Sequence, residues 1–170
     1  APERCHAVGV YALGKAQRVI AELRGAGWDR PIHLHGALKG LCALYESEGV
    51  RLGALADASA AAKNEMRGEI VLAPPSALGD RWARRLPEPV ICGASGWMQI
   101  RQRARQRGVE LPLVISDHAD WDALTTTIRE TQAAEVWITH GAEDALAHWC
   151  GSRGIDAKPL RLIGREDEAA

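Results

Sequence analysis

Two histidines in this chain each follow a short apolar run, in the position where α/β proteins build their sites. His118 stands in the segment Ser-Asp-His-Ala-Asp-Trp at 116–121, and His140 stands in Thr-His-Gly at 139–141. The carboxyl ends of parallel strands open into the crevice above a sheet, so side chains there project into it. If the two histidines converge from neighbouring strands with Asp117 and Asp120, together they could bind a metal ion and a phosphate. A hydrogen-bonded turn residue is the alternative for either histidine.

The chemistry available to these residues is specific. A neutral imidazole is a good ligand for Zn²⁺ or Mn²⁺, and a second histidine over a phosphate can donate a proton to the leaving oxygen. Asp120 opens the segment after His118, where its carboxylate would either cap a helix or orient the imidazole.

Other residues suggest a site that binds an anion. Gly14, Lys15 and Arg18 mark a strand, a glycine turn and a helix start, and helix N-termini offer free N–H groups to anions. This is not a Walker A loop, because its second glycine and the Ser/Thr after the lysine are missing. An ordinary strand–helix turn is the alternative.

Four arginines alternate with other residues shortly after Ser95-Gly96-Trp97, namely Arg101, Arg103, Arg105 and Arg107. Such a density of positive charge suits a phosphate backbone, whereas the alternative is a solvated basic helix. His33 and His35 share a face of a short strand, but no acid or further histidine follows at Gly36-Ala37-Leu38. We therefore predict a structural pair or a pair at the edge of a loop, not a metal site.

Composition sets the class of protein. The 170 residues are 46% apolar and 25% charged with a net charge of −1, so any nucleic-acid binding must come from a local patch. The four cysteines form no CxxC pair, which favours a reducing cytoplasm over a disulfide framework or zinc knuckle. No apolar run approaches a membrane span. The chain opens on Ala1 without a methionine, so we expect a processed, trimmed or partial chain.

Short apolar runs alternate with amphipathic segments, which predicts an α/β protein with a mostly parallel sheet. The pattern predicts strands at 5–12, 31–35, 69–73, 90–94, the two histidine-bearing runs and 157–163. It predicts helices at 15–24, 37–48, 120–131 and 142–153. Residues 50–68 are alanine-rich and fit either a helix or a loose excursion, and residues 76–89 read as a loop.

Taken in order, these motifs resemble the β-CASP branch of the metallo-β-lactamase-fold nucleases, and most closely the bacterial ligase-associated DNA exonucleases. The resemblance rests on Tyr-Ala-Leu-Gly-Lys-Ala-Gln-Arg at 11–18, His-Gly-Ala at 35–37, Val-Leu-Ala-Pro-Pro-Ser at 71–76, Ser-Gly-Trp-Met at 95–98, and the two histidine segments. It implies a Rossmann-like β-CASP domain over residues 1–109 and the closing part of a metallo-β-lactamase sandwich over residues 110–170.

The resemblance also implies an activity and roles for particular residues. The activity is metal-dependent hydrolysis of DNA phosphodiesters by an exonuclease of DNA repair, with two Zn or Mn ions. His118 would assist the leaving group with Asp120 beside it, and His140 would ligate a metal. The resemblance places Lys15, Arg18, Ser95 and Gly96 towards the nucleic acid, and the arginine run adds Arg101 and Arg103. A DNA ligase and a helicase are the implied partners, with no membrane.

The family's His-x-His-x-Asp-His motif, which supplies most of its metal ligands, is absent from this sequence. The sequence therefore resembles the C-terminal half of such an enzyme, and we expect the chain alone to be inactive and to hold no stable metal. Two alternatives stay open: an RNA-processing relative with the same motifs, and a catalytically empty nucleic-acid-binding or interaction module.

Overall fold

The computed structural model describes residues 3–139, 141 and 143–160. The chain divides into two compact units, Ala1–His118 and Ala119–Ala170. The domains that the resemblance implies, 1–109 and 110–170, stay a prediction. Among the described residues, no helix is long and apolar enough to cross a membrane. The four cysteines, Cys5, Cys42, Cys92 and Cys150, are buried and free.

The first unit is a six-stranded sheet with helices between its strands. Its strands are β1 (His6–Gly9), β2 (Ile32–Leu34), β3 (Leu55–Asp57), β4 (Ile70–Ala73), β5 (Val90–Ala94) and β6 (Leu111–Leu113). Its helices are α1 (Lys15–Gly25), α2 (Gly36–Ser47), and the short α3 (Pro75–Leu78) and α4 (Arg101–Gln106). Single 3-10 turns cover Lys63–Met66, Arg81–Arg85 and Gly96–Gln99.

The strands lie in the order β3-β2-β4-β1-β5-β6, and each adjacent pair is parallel. Alternate residues of the central strands enter two different cores, as the twofold period of a strand requires. Val8 of β1 packs with Val19 and Ile20 of α1, whereas its neighbour Ala7 packs with Met66 and Leu86. The sheet is thus covered on both faces, which is why its strands read as continuous apolar runs.

The order of the strands opens a crevice at one edge of the sheet. β1 leads through α1 to β2, on one side of β1, whereas β5 leads through α4 to β6, on the opposite side. Because β1 and β5 are neighbours, their connections leave the sheet in opposite directions. Parallel α/β sheets bind ligands at such a switch point, at the carboxyl ends of the strands.

The second unit is a small strand–helix–strand motif preceded by a helix. α5 (Trp121–Thr131) is followed by β7 (Glu135–Ile138), α6 (Glu143–Gly151) and β8 (Asp156–Pro159), and β7 pairs with β8 in parallel. Its core comprises Ile128, Ile138, Leu146 and Cys150. The prediction that the two histidine-bearing strands are neighbours is wrong, because β6 pairs with β5 in one sheet and β7 with β8 in another.

Several predicted elements are confirmed, and some are corrected. The strand at 90–94 and the helices beginning near Lys15 and Gly36 match the structure within a residue or two. The alanine-rich segment contains the edge strand β3, which the sequence did not predict, and α3 lies in the predicted loop at 76–89. The last strand ends at Pro159 as far as the described residues run.

Exposed apolar side chains predict self-association. The sequence suggested uncovered apolar residues at Val114, Val136, Trp137 and Ile138. Val114 and Trp137 are 55% and 56% exposed, but Val136 is partly covered and Ile138 is buried against Leu146. Since β6 is also an open edge with Leu111 exposed, we expect the apparent mass of the chain by light scattering to rise with concentration. A mass that stays that of a monomer at high concentration would contradict this expectation.

Candidate functional site

A cleft of about 1110 Å³ lies at the switch point between β1 and β5. Its described lining residues all belong to the first unit and come mainly from β5, the short helix α3 and the loops that follow β1, β5, α4 and β6. Those that bear on the argument are Tyr11, Lys15, Ser95, Trp97, Arg107 and His118. A concave site of this size suffices for a small ligand or for the end of a polymer.

The loop after β1 places a lysine inside the protein. Gly14 has a φ of 78°, a left-handed conformation that favours glycine, and it starts α1 directly before Lys15. Lys15 is only 4% exposed, and its Nζ lies 2.9 Å from Oδ1 of Asp117. The predicted anion-facing lysine is therefore already paired with a carboxylate of this chain.

Asp117 links that lysine to the histidine. The hydrogen bond from Lys15 holds the pKa of Asp117 below its ordinary value, so the carboxylate stays ionised at neutral pH. Nε2 of His118 lies 3.9 Å from the same Oδ1, which is beyond hydrogen-bond length. The backbone N–H of His118 donates to Oγ of Ser116 at 3.1 Å, and the imidazole itself is 84% exposed at the cleft. His118 is thus fixed through its backbone, with its ring open to a ligand.

The loop after β5 faces these residues. Oγ of Ser95 accepts a hydrogen bond from the backbone N–H of Trp97 at 3.3 Å, which starts the 3-10 turn. A Cβ on Gly96 would lie 3.5 Å from Ser116, so the β5 and β6 loops approach closely here. The structure places Ser95 and Gly96 in the same cleft as His118.

The arginine run forms the helix α4, with Ala104 buried and the arginines exposed. The guanidinium of Arg103 lies 3.8 Å from the ring centroid of Trp97, and Arg107 lines the cleft. Arg101 is exposed but is not among the lining residues. Arg18 is not among them either, and its side chain lies 3.7 Å from Glu22 one helical turn away.

The remaining predicted residues have other positions. Asp120 caps α5, since its Oδ1 accepts from the N–H of Ala123 at 2.8 Å, and a catalytic role for it stays a prediction. His140 lies outside the described residues. His33 is buried, and Nδ1 of His35 caps α2 by accepting from Ala37, so both have structural surroundings. In the described part of the chain no three His, Cys, Asp or Glu side chains group as metal ligands, so these residues do not by themselves fit a two-metal site.

Sequence reasoning missed three features of this cleft. It did not predict the pairing of Lys15 with Asp117, which joins residues far apart in the chain. It named Trp97 and Arg107 only as parts of motifs, and gave Tyr11 no role at all. Two aromatic residues in the loops after strands were the available signal, but exposure cannot be read from residue type.

We expect the two partners of the Lys15–Asp117 ion pair to differ in how much stability is lost when each is replaced. Asp117→Asn leaves the charge of Lys15 buried and unpaired, so we expect a loss of about 2–4 kcal/mol in the free energy of unfolding. Lys15→Met should cost about 1 kcal/mol or less, because Asp117 is a third exposed and water can solvate it. Chemical denaturation of both variants measures the difference.

Glu88→Gln provides the matched control, since it breaks an exposed pair with Arg67 and should cost less than about 1 kcal/mol. The pKa of Asp117 is lowered by folding, so its contribution is complete at neutral pH and is lost as the pH falls. The gap between the native chain and Asp117→Asn should therefore narrow below about pH 4. Equal costs for Asp117→Asn and Lys15→Met at neutral pH would show that the pair is not buried as described.

Comparison with known proteins gives one match of limited extent. The chain is 25% identical over 147 residues to a protein from Opitutus terrae named "Probable DNA ligase". The match covers 86% of this chain but 14% of that protein, so the chain spans about one seventh of its relative's length. No family model matches the chain, and no solved structure matches it. The chain is therefore similar to one segment of a much longer protein that carries a DNA-related name.

Proposed function

We propose that this chain is the substrate-facing segment of a metal-dependent nuclease that hydrolyses DNA phosphodiester bonds, as an exonuclease of DNA repair. The observation that carries the proposal is the cleft at the switch point, where the exposed imidazole of His118 lies beside serine, glycine and arginine residues from neighbouring loops. Backbone N–H groups in turns and cationic side chains bind the phosphates of nucleic acids. A histidine can donate a proton to the leaving oxygen.

His118 has the surroundings of a proton donor. Its backbone N–H donates to Oγ of Ser116, its ring is open to the cleft, and its Nε2 lies 3.9 Å from Oδ1 of Asp117. Lys15 neutralises most of the negative charge that Asp117 would otherwise present to a phosphate. In the proposed reaction His118 donates a proton to the oxygen that leaves the phosphorus.

In this proposal, the metal ions are held mainly by ligands outside the described residues. The described residues do not fit a two-metal site, so we derive no step through the ions. We propose that the chain works joined to a segment carrying His-x-His-x-Asp-His, and that His140 adds one ligand to that site.

The relative supports a role with DNA rather than the details of the reaction. It is named a probable DNA ligase, and the segment similar to this chain makes up a small part of it. A nuclease segment and a ligase within one polypeptide would fit the association with a DNA ligase that the family resemblance implies. The name describes the whole relative, so we do not place ligation in this segment.

Matched DNA and RNA strands test the proposal against its alternatives. We expect the joined, metal-loaded enzyme to shorten labelled DNA strands faster than RNA strands of the same sequence. Faster RNA cleavage would favour an RNA-processing enzyme, and binding without cleavage of either strand would favour an interaction module. Each outcome is read from the products on a denaturing gel at equal enzyme and metal concentrations.

A further inference from the structure

Two exposed aromatic side chains line the cleft. Tyr11, in the loop after β1, is 65% exposed, and Trp97, in the loop after β5, is 54% exposed. The chain has six tryptophans, two tyrosines and no phenylalanine. Trp28 and Trp82, by contrast, pack against the cores of the same unit. Large aromatic surface left open in a cleft marks a place where a flat apolar partner binds.

The ring of Trp97 has a guanidinium over one of its faces. Its backbone N–H is bonded to Ser95, and the guanidinium of Arg103 lies 3.8 Å from its ring centroid. A cation at this distance interacts favourably with the π-face of an indole and restricts the motion of the ring. A ring that is already ordered loses less conformational freedom when a ligand stacks on it.

Charge in the cleft favours an anionic partner. Among the described residues that line it none carries a carboxylate, whereas Lys15 and Arg107 are both lining residues. Since Lys15 is paired with Asp117, the cations available to a ligand are Arg107 and, beside Trp97, Arg103. Aromatic surface next to arginines is the combination by which proteins bind unpaired nucleic-acid strands, with bases on the rings and phosphates on the cations.

We propose that the cleft binds the unpaired end of a DNA strand and that its nucleobases stack on Trp97 and Tyr11. Bases within a duplex are stacked on each other and offer no face to a protein, so this cleft selects a single-stranded or frayed end. The inference rests on the proposed function and deepens it by naming the form of the substrate. Trp97 and Tyr11 are binding residues here, apart from His118, which acts at the phosphate.

An abasic strand separates stacking from phosphate contacts. The probes are a labelled oligodeoxythymidine and a strand of the same length in which every nucleoside is replaced by an abasic tetrahydrofuran unit. Both carry the same phosphates. Fluorescence anisotropy with the whole chain, without metal, should show the thymidine strand binding at least about 5- to 100-fold more tightly, the range expected for a single stacked base. A blunt hairpin duplex should bind no better than the abasic strand.

Substitutions of individual tryptophans test whether the preference for the thymidine strand depends on Trp97. Trp97→Ala should remove most of the preference for the thymidine strand and leave abasic binding unchanged, and Trp97→Phe should restore part of the preference. Trp137→Ala is the matched control, because Trp137 is 56% exposed with the Lys158 ammonium over its ring but is not among the cleft's lining residues. It should keep the native preference. Thermal unfolding of each variant confirms that it is folded.

The outcomes separate this inference from the proposed function. Equal binding of the thymidine and abasic strands by the native chain would overturn the stacking inference, even if the joined enzyme cleaves DNA. Loss of the preference in Trp137→Ala but not in Trp97→Ala would also overturn it. A preference that depends on Trp97, in a joined enzyme that cleaves nothing, would support stacking while overturning hydrolysis.

Discussion

His118→Ala, made in the joined and metal-loaded enzyme, is expected to slow single-turnover cleavage of DNA by roughly 10²–10⁴-fold, the range for a lost general acid. The imidazole is exposed in the cleft, and the backbone N–H of His118 rather than the ring makes the bond to Ser116. Alanine keeps that bond, so the loop should hold its shape. Elemental analysis should find the bound metal nearly unchanged, because His118 acts on the phosphate.

His148 supplies the control for this substitution. It is an exposed histidine on α6, and His148→Ala should leave both metal content and turnover close to those of the native enzyme. If His118→Ala strips the metal, the histidine is a ligand rather than a proton donor. If turnover per folded molecule is unchanged, His118 has only a structural role in the loop after β6.

The 170-residue chain alone is expected to hydrolyse no DNA and to hold Zn²⁺ or Mn²⁺ only in substoichiometric amounts. A two-metal site needs several His, Asp or Cys ligands placed together, and the described residues contain no such group. We therefore expect the chain alone to show none of the activity of the joined enzyme. Elemental analysis after dialysis and a cleavage assay at high protein concentration measure both quantities.

His140→Ala extends this test to the residue that the family resemblance makes a ligand. In the joined enzyme it should lower metal occupancy and activity together, in contrast to His118→Ala. One tightly held metal ion per 170-residue chain, together with DNA cleavage, would show that the ligands are within this chain and that the proposed division of the site is wrong.

The central strands could be predicted because of how a parallel sheet is built. β1, β4 and β5 are buried on both faces, so they appear in the sequence as unbroken apolar runs. β3 could not be predicted, because Leu55-Ala56-Asp57 is short, lies at an edge and takes its conformation from pairing with β2. The spacing of the arginine run fitted both a helix and an extended segment, and the structure forms the helix α4 with Ala104 buried.

At the site, the sequence could not show which residues far apart in the chain pair with each other. The position of His118 followed from the rule that sites form at strand ends, and Ser95 and Gly96 were assigned through the family resemblance. The structure places all three at one cleft. The pairing of Lys15 with Asp117 depends on how two loops meet, and no local pattern encodes it. Ile138 was expected to be uncovered, but α6 supplies Leu146 and Cys150 to cover it.

Photo-crosslinking tests most directly the central claim that a DNA strand enters the cleft between the loops after β1, β5 and β6. A short oligodeoxynucleotide with 5-iodouracil at its end is irradiated with the chain, and the crosslinked residues are identified by mass spectrometry. The account predicts crosslinks at Trp97 or Tyr11, which unlabelled single strands suppress better than blunt duplexes. Crosslinks confined to Trp121 and Trp137, which are 45% and 56% exposed and are not among the cleft's lining residues, would contradict it.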